Sequence, residues 1–89
     1  MAHVSFTVNL QRHLDVPACE APGATVSEVL AEVFARNPRL RSYLLDDQGR
    51  LRQHVAIFVD GTQVDDRQGL RDRVVGSSEI FVVQALSGG

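Results

Sequence analysis

The sequence predicts an α+β domain: a mixed sheet of four to five strands with one main helix packed on one face. Three observations predict it. Val4, Phe6, Val8 and Leu10 alternate with polar residues. From Val26 to Phe34 the apolar residues instead recur at helical spacing, and from Val55 to Val59 and again from Ile80 to Val82 the alternation returns. A period of two marks a half-buried strand, and a period near 3.6 marks a helix with one apolar face. Strands, then a helix, then strands leave the helix to cover one sheet face.

The first strand is read from Val4, Phe6, Val8 and Leu10, set against Ser5, Thr7 and Asn9. Gln11 and Arg12 make a short connection. Leu14, Val16 and Ala18 then alternate with His13, Asp15, Pro17 and Cys19, which predicts the second strand of a hairpin. Proline has no N–H for a ladder, so Pro17 places this strand at an edge.

Pro22-Gly23 breaks the pattern, and Thr25-Val26-Ser27-Glu28 fits a capping box with Thr25 at the N-cap. Val26, Val29, Leu30, Val33 and Phe34 form the apolar stripe of the helix. Glu32 and Arg36 stand four apart on its other side and are expected to pair. Asn37-Pro38 ends it. Leu40, Tyr43, Leu44 and Leu45 predict a further short helical turn, and Asp46-Asp47-Gln48-Gly49 a loop.

Val55, Ile57 and Val59 make the third strand, Asp60-Gly61 signals a tight turn, and Val64 falls in a short segment after it. Leu70 and Val74-Val75 lie in an irregular stretch with Gly69 and Gly76. In the last strand Ile80 and Val82 face one way, Phe81 and Val83 the other. The helix stripe is expected to pack on Val4, Phe6, Val8, Val55, Ile57, Val59, Ile80 and Val82. Each such side chain, fully buried, contributes roughly 1.5–3 kcal/mol, so a core of this size needs no disulfide.

At 89 residues the chain reads as one domain, 1–89, ending in a flexible tail at 87–89. Its net charge of −2, with no basic block, argues against nucleic acid or an anionic membrane as partner. No apolar run approaches the roughly 20 residues that span a bilayer. Met1-Ala2-His3-Val4 has no features of a secretory signal, so a cytoplasmic location is expected. Cys19 is the only cysteine, which excludes an internal disulfide and fits a small strand residue better than a nucleophile. His3, His13 and His54 are scattered, with no metal-ligand spacing. Asp46-Asp47 and Asp65-Asp66 are adjacent acids in loops, whereas acid–base pairs work in clefts. No phosphate loop, dinucleotide fingerprint or nucleophile elbow occurs. All nine basic residues are arginines, so no side-chain amine of the chain can attack its own activated carboxylate.

The last strand runs out into Ser87-Gly88-Gly89. Without Cβ atoms, two glycines make a thin tail that can enter a narrow channel in another protein. The terminal carboxylate is a handle that ATP can activate as an acyl adenylate.

This order, with Val55-Ala56-Ile57-Phe58-Val59-Asp60-Gly61 in the middle, Gly69-Leu70 after it and Ile80 to Gly89 at the end, resembles the β-grasp sulfur-carrier family. That family includes the small subunit of molybdopterin synthase (MoaD), the thiamine-pathway carrier (ThiS) and the cysteine-synthesis carrier (CysO); ubiquitin shares the fold and the Gly-Gly end. The resemblance covers nearly the whole chain. It implies a carrier and not an enzyme. An adenylating enzyme related to ubiquitin-activating enzyme would use ATP and a sulfur donor to convert the Gly89 carboxylate into a thiocarboxylate. Gly88 would let the tail thread the active sites. A sulfur-accepting synthase or larger catalytic subunit would receive the sulfur, and the carrier itself would bind no cofactor and no metal. The span from Asn37 to His54 and the Leu51-Arg52 approach to the strand look more like the molybdopterin and cysteine members than the thiamine one. Gln84 stands where many members have proline, so the exit from the last strand is expected to be freer or to pair differently.

Phe58, Phe81 and Val83 are expected to form an uncovered patch on the outer sheet face. Such a patch marks a partner site or packs across strands to stabilise the sheet. In the family the outer face docks the adenylating enzyme and the sulfur acceptor. With Leu86 it would form the partner-binding surface, Ser87 and Gly88 belonging to the tail. Two other classes stay open: a ubiquitin-like modifier joined to amines through Gly89, and a plain interaction domain with an idle tail. Product chemistry separates the first from the carrier, and deletion of Gly88-Gly89 separates the second from both.

Overall fold

The computed structural model describes residues 1–8, 10 and 16–84. Within them the elements are β1 (Ala2–Phe6), β2 (Cys19–Ala21), α1 (Val26–Arg36), α2 (Pro38–Leu44), β3 (Val55–Val59), β4 (Thr62–Gln63) and β5 (Glu79–Gln84). The five strands form one sheet in the order β2-β1-β5-β3-β4. β1 and β5 run parallel at its centre, in the register Val4↔Ile80 and Phe6↔Val82. Every other neighbouring pair is antiparallel.

The core sits between the sheet and α1, whose Val26, Val29, Leu30 and Val33 are all buried. They meet Val4, Phe6, Val55, Ile57, Ile80 and Val82, each at most 3% exposed. Leu40 and Leu44 of α2 extend the same cluster, and Phe34, Tyr43 and Val59 pack on its rim. The expected mixed sheet with one main helix on one face is what forms, and the short helical turn is the seven-residue α2.

Helix α1 starts at the expected Thr25 cap, with the return bond from Glu28 shifted one residue, to the amide before the N-cap. Thr25 Oγ1 accepts from the Glu28 amide at 3.2 Å, and Glu28 Oε1 accepts from the Ala24 amide at 3.0 Å. Two further amides of the first turn find carbonyls elsewhere: Val26 N donates to Asp72 O at 3.0 Å and Ser27 N to Leu70 O at 2.8 Å. The irregular 70–74 stretch is thereby stitched to the helix start, a role its composition does not reveal. At the far end Asn37 N caps the carbonyls of Val33 and Phe34, and Pro38 opens α2 at a position where no N–H is needed. Gly23 has a space requirement of its own, because a Cβ there would lie 2.7 Å from Val29 N.

Three expectations need correction. Strand β1 ends at Phe6, and Val8 is 66% exposed, off the face assigned to it. Leu10, two residues on, is fully buried, so the alternation past Phe6 is not that of one strand. The second strand is Cys19–Ala21 and not the stretch centred on Val16. Pro17 and Ala18 precede it, exposed and outside the ladder, and Ala21 fits beneath the helix fully buried. It is an edge strand, as Pro17 suggested. His13, Leu14 and Asp15, and the Gln11-Arg12 connection, lie outside the described residues. Finally, Arg36 does not pair with Glu32; its Nη1 donates to Glu20 O of β2 at 2.8 Å, tying the helix end to the edge strand.

Asp60 and Gly61 adopt φ of 51° and 86°, the left-handed pair that a two-residue hairpin requires. A second carboxylate, Asp66, organises the next turn. Its oxygens accept from the amides of Gly69 at 2.9 Å and Arg71 at 3.3 Å and from Arg71 Nε at 2.9 Å. The Gly69 amide above all, and then the Arg71 guanidinium, lower its pKa to about 2 from 3.8. A carboxyl whose folded pKa lies below its unfolded one adds stability above the unfolded value and loses it as pH falls through the folded one. Asp66→Asn should therefore melt earlier than the parent at pH 7, and the gap should close as pH falls from about 4 towards 2. Thermal melts of both proteins across that range check it; a gap that stays constant would remove the charge from the explanation.

Candidate functional site

Strand β5 carries the chain to its tail, and it is flanked on both sides by β1 and β3. Its period of two divides it cleanly. Ile80 and Val82 are fully buried under the helix, whereas Phe81 is 41% exposed on the opposite face and Val83 is half-buried there. Phe58 lies directly opposite Phe81, and Ala56 opposite Val83. The three residues expected to form an outer patch, Phe58, Phe81 and Val83, are thus brought together and line one shallow groove. The remaining expected site residues, Leu86, Ser87, Gly88 and Gly89, lie outside the described residues.

The sequence did not point to the polar rim of that groove. Asp60, Gly61 and Glu79 close its far end. Asp60 Oδ1 accepts from Glu79 N at 2.9 Å and Oδ2 accepts from Ser78 Oγ at 3.0 Å, while Asp60 N donates to Glu79 O at 2.8 Å. Ser78, 2% exposed, also accepts from Val75 N. This knot fixes where β5 begins.

The exit of β5 is held as well. Gln84 N approaches Thr7 Oγ1 at 3.5 Å, and Gln84 Nε2 donates to the Tyr43 hydroxyl at 2.7 Å. The Tyr43 ring packs edge-on to His54, with centroids 5.9 Å apart. Gln84 therefore pairs differently from a proline, as its side chain permits, and it anchors the strand end to α2. A glutamine and a tyrosine 41 residues apart leave no local pattern from which this contact is read.

Beyond His54 the loop before β3 is built around Asp46. Its carboxylate accepts from the Gln48 and Arg50 amides and from Arg50 Nε. These bonds, the Arg50 amide first, hold it below the usual carboxylate range. Among the described residues no group of three or more His, Cys, Asp or Glu side chains is placed to hold a metal ion. No helix among them is long and apolar enough to cross a membrane.

A helix laid across a mixed sheet whose parallel central pair joins the first and last strands defines a ubiquitin-like β-grasp domain. The ThiS family model matches residues 10–89, and the chain belongs to that family of sulfur carriers. It is similar to the CysO chain solved in the BexX/CysO complex of Amycolatopsis orientalis, at 26% identity and a TM-score of 0.84 over 100% of both chains. It is similar in fold to SAMP1 of Haloferax volcanii, at 20% identity and a TM-score of 0.83 over 99% of this chain and 98% of that one. Mycobacterium tuberculosis CysO aligns at 22% identity and a TM-score of 0.81, over 97% of this chain and 100% of that one. No curated protein sequence matches the chain.

Tyr43→Phe keeps the ring on His54 and removes the acceptor of Gln84. The variant should lose about 0.5–1.5 kcal/mol, the net value of one hydrogen bond, in denaturant unfolding. The Gln84 side-chain amide signal should move in the same variant. An unmoved signal would mean that the bond does not hold the strand end in solution.

Proposed function

We propose that the chain is a sulfur carrier that works through its C-terminal glycine. The observation that carries the reading is the match of the ThiS family model from residue 10 through Gly88-Gly89. The Gly89 carboxylate attacks the α-phosphorus of ATP in the active site of an adenylating enzyme, forming an acyl adenylate and releasing pyrophosphate. Hydrosulfide released by a donor then attacks the acyl carbon and displaces AMP, leaving a thiocarboxylate. The sulfur passes to an acceptor enzyme, and the carboxylate is regenerated by water. In this scheme the carrier is a protein co-substrate; the partner supplies nucleotide, metal and general base.

The outer groove of Phe58, Phe81 and Val83 is the proposed docking surface, with Leu86 as a further partner contact and Ser87 and Gly88 as the tail that enters the partner's channel. Its apolar centre and polar rim suit a protein partner. Similarity to CysO over the full chain, including one CysO solved with BexX, supports a cysteine-type pathway over the molybdopterin type. Similarity in fold to SAMP1, a small archaeal modifier protein, supports a second reading in which Gly89 is joined to amines of other proteins. The two readings share the adenylate and part at the nucleophile.

Intact mass measured before and after incubation with ATP, a sulfide source and the host's adenylating enzyme tests the carrier. The expected product has one oxygen replaced by sulfur at Gly89 and is lost when Gly88-Gly89 is deleted. An isopeptide to another protein, with no thiocarboxylate, would establish the modifier instead.

The surface has its own test. Phe81→Ser and Phe58→Ser should weaken binding to the adenylating enzyme about tenfold or more, as interface aromatics do when truncated. The melting temperature should change far less than for Ile80→Ser, which opens the core. Calorimetric affinities equal to the parent's would move the docking surface elsewhere.

A further inference from the structure

The loop between α2 and β3 forms a second, polar groove that the carrier reading does not use. Arg50, Arg52, His54 and Arg67 line it, together with Asp46. Asp46 is engaged by Arg50, with Oδ2 3.1 Å from Nε. Arg52 and Arg67 have no carboxylate partner among the described residues. Both are nonetheless aimed. Arg52 Nε donates to Ser42 O at 3.1 Å, and Arg67 Nη2 donates to Arg52 O at 2.7 Å. Two arginines of intermediate exposure, each held by a backbone carbonyl and without a carboxylate partner among the described residues, form a preorganised anion seat. The groove carries three cations against one carboxylate in a chain whose formal net charge is −2.

Its position gives it meaning. β3 begins directly after His54, and Val55 lies opposite Gln84. The basic groove thus sits at the end of the sheet where β5 leaves, linked to it through the His54-Tyr43-Gln84 contacts. The other end of the same two strands carries Asp60 and Glu79 on the rim of the apolar groove. The two ends of the β3–β5 pair therefore differ in charge: acidic at Asp60 and Glu79, basic where β5 ends.

We infer that the Arg52-Arg67 groove seats an acidic segment of the protein that receives the tail, and that this charge polarity sets the direction in which the carrier docks. The inference rests on the carrier reading for the identity of that protein. A carboxylate suits the seat because a planar guanidinium binds it through two parallel N–H donors. Contacts at the root of the tail then select the docking direction that points Gly89 into the partner. The reverse direction sets Asp60 and Glu79 against the acidic segment and is repelled.

The test uses the full chain in two arms. In the first, a hexaglutamate peptide is titrated into labelled protein at low salt, with ATP titrated in parallel. Saturable shifts of the Arg52 and Arg67 Nε–H signals by the peptide, absent from Phe58 and Phe81 and lost in Arg52→Gln/Arg67→Gln, are expected. Shifts produced by ATP and not by the peptide would overturn the inference in favour of a nucleotide phosphate seat. In the second arm, affinity for the host's adenylating enzyme is measured against salt. It should fall as salt rises, and the double variant should bind about tenfold more weakly with a flatter salt dependence, because fewer charges remain to be screened. Affinity indifferent to salt would overturn the inference with no variant needed, which covers a double variant that fails to fold. Failure of the carrier reading shows differently, as peptide binding intact but no thiocarboxylate on Gly89.

Discussion

The parallel pairing of β1 with β5 is the constraint on which the molecule depends. It joins the first strand of the chain to the last, so the sheet has no centre until the C-terminal strand has arrived. Closing that contact spans most of the chain and costs the corresponding loop entropy. What offsets the cost is the burial of Val4, Phe6, Ile80 and Val82 against the α1 stripe. The ladder to β1 ends at Phe6↔Val82, while pairing with β3 continues through Val83 and Gln84, so the last described residues of β5 are held by β3 and by the Tyr43 hydroxyl.

Much of this was legible in the sequence, and the legible parts share a physical cause. The helix stripe, the Thr25 capping box, the Asp60-Gly61 turn and the inward–outward split of β5 are all local. Each depends on residues within one or two turns of one another, and the chemistry at those positions leaves few alternatives. The same holds for the outer cluster of Phe58, Phe81 and Val83, once two alternating strands are set side by side. The expected mixed sheet carrying its helix on one face follows from these pieces.

What the sequence concealed is nonlocal. Val8 continues the alternation of Val4 and Phe6, yet a period-two signal does not say where a strand loses its partner. Cys19–Ala21 is too short to print a pattern of its own, and its register comes from facing Ala2 to Val4. Arg36 had a suitable acid four residues away in Glu32 and took a backbone carbonyl of β2 instead. An exposed pair at that spacing is worth only a few tenths of a kcal/mol, so a fixed carbonyl easily competes. The Gln84-Tyr43 contact and the aimed arginines of the loop belong to the same class. Each is a polar side chain finding a partner that only the assembled fold supplies.

The division of β5 ties the core to the outer face of the sheet. Ile80 and Val82 build the interior while Phe81 and Val83 line the outer face, on one six-residue strand. A slip of one residue would exchange the two sets completely. It would put the outer aromatic and aliphatic side chains into the core and turn the core residues out. The hydrophobic difference between the sets is small, since all four are large and apolar, so burial alone discriminates weakly. The polar knot at the strand's start supplies the missing specificity. Asp60 meets Glu79 through both backbone and side chain, and Ser78 is buried with its hydroxyl committed to Asp60. A slipped register would leave the buried Ser78 hydroxyl without its carboxylate partner, at a cost of about 1–3 kcal/mol. The acid that rims the outer groove is thus the same acid that decides which side of β5 faces it, and the groove and the fold are specified by one set of hydrogen bonds.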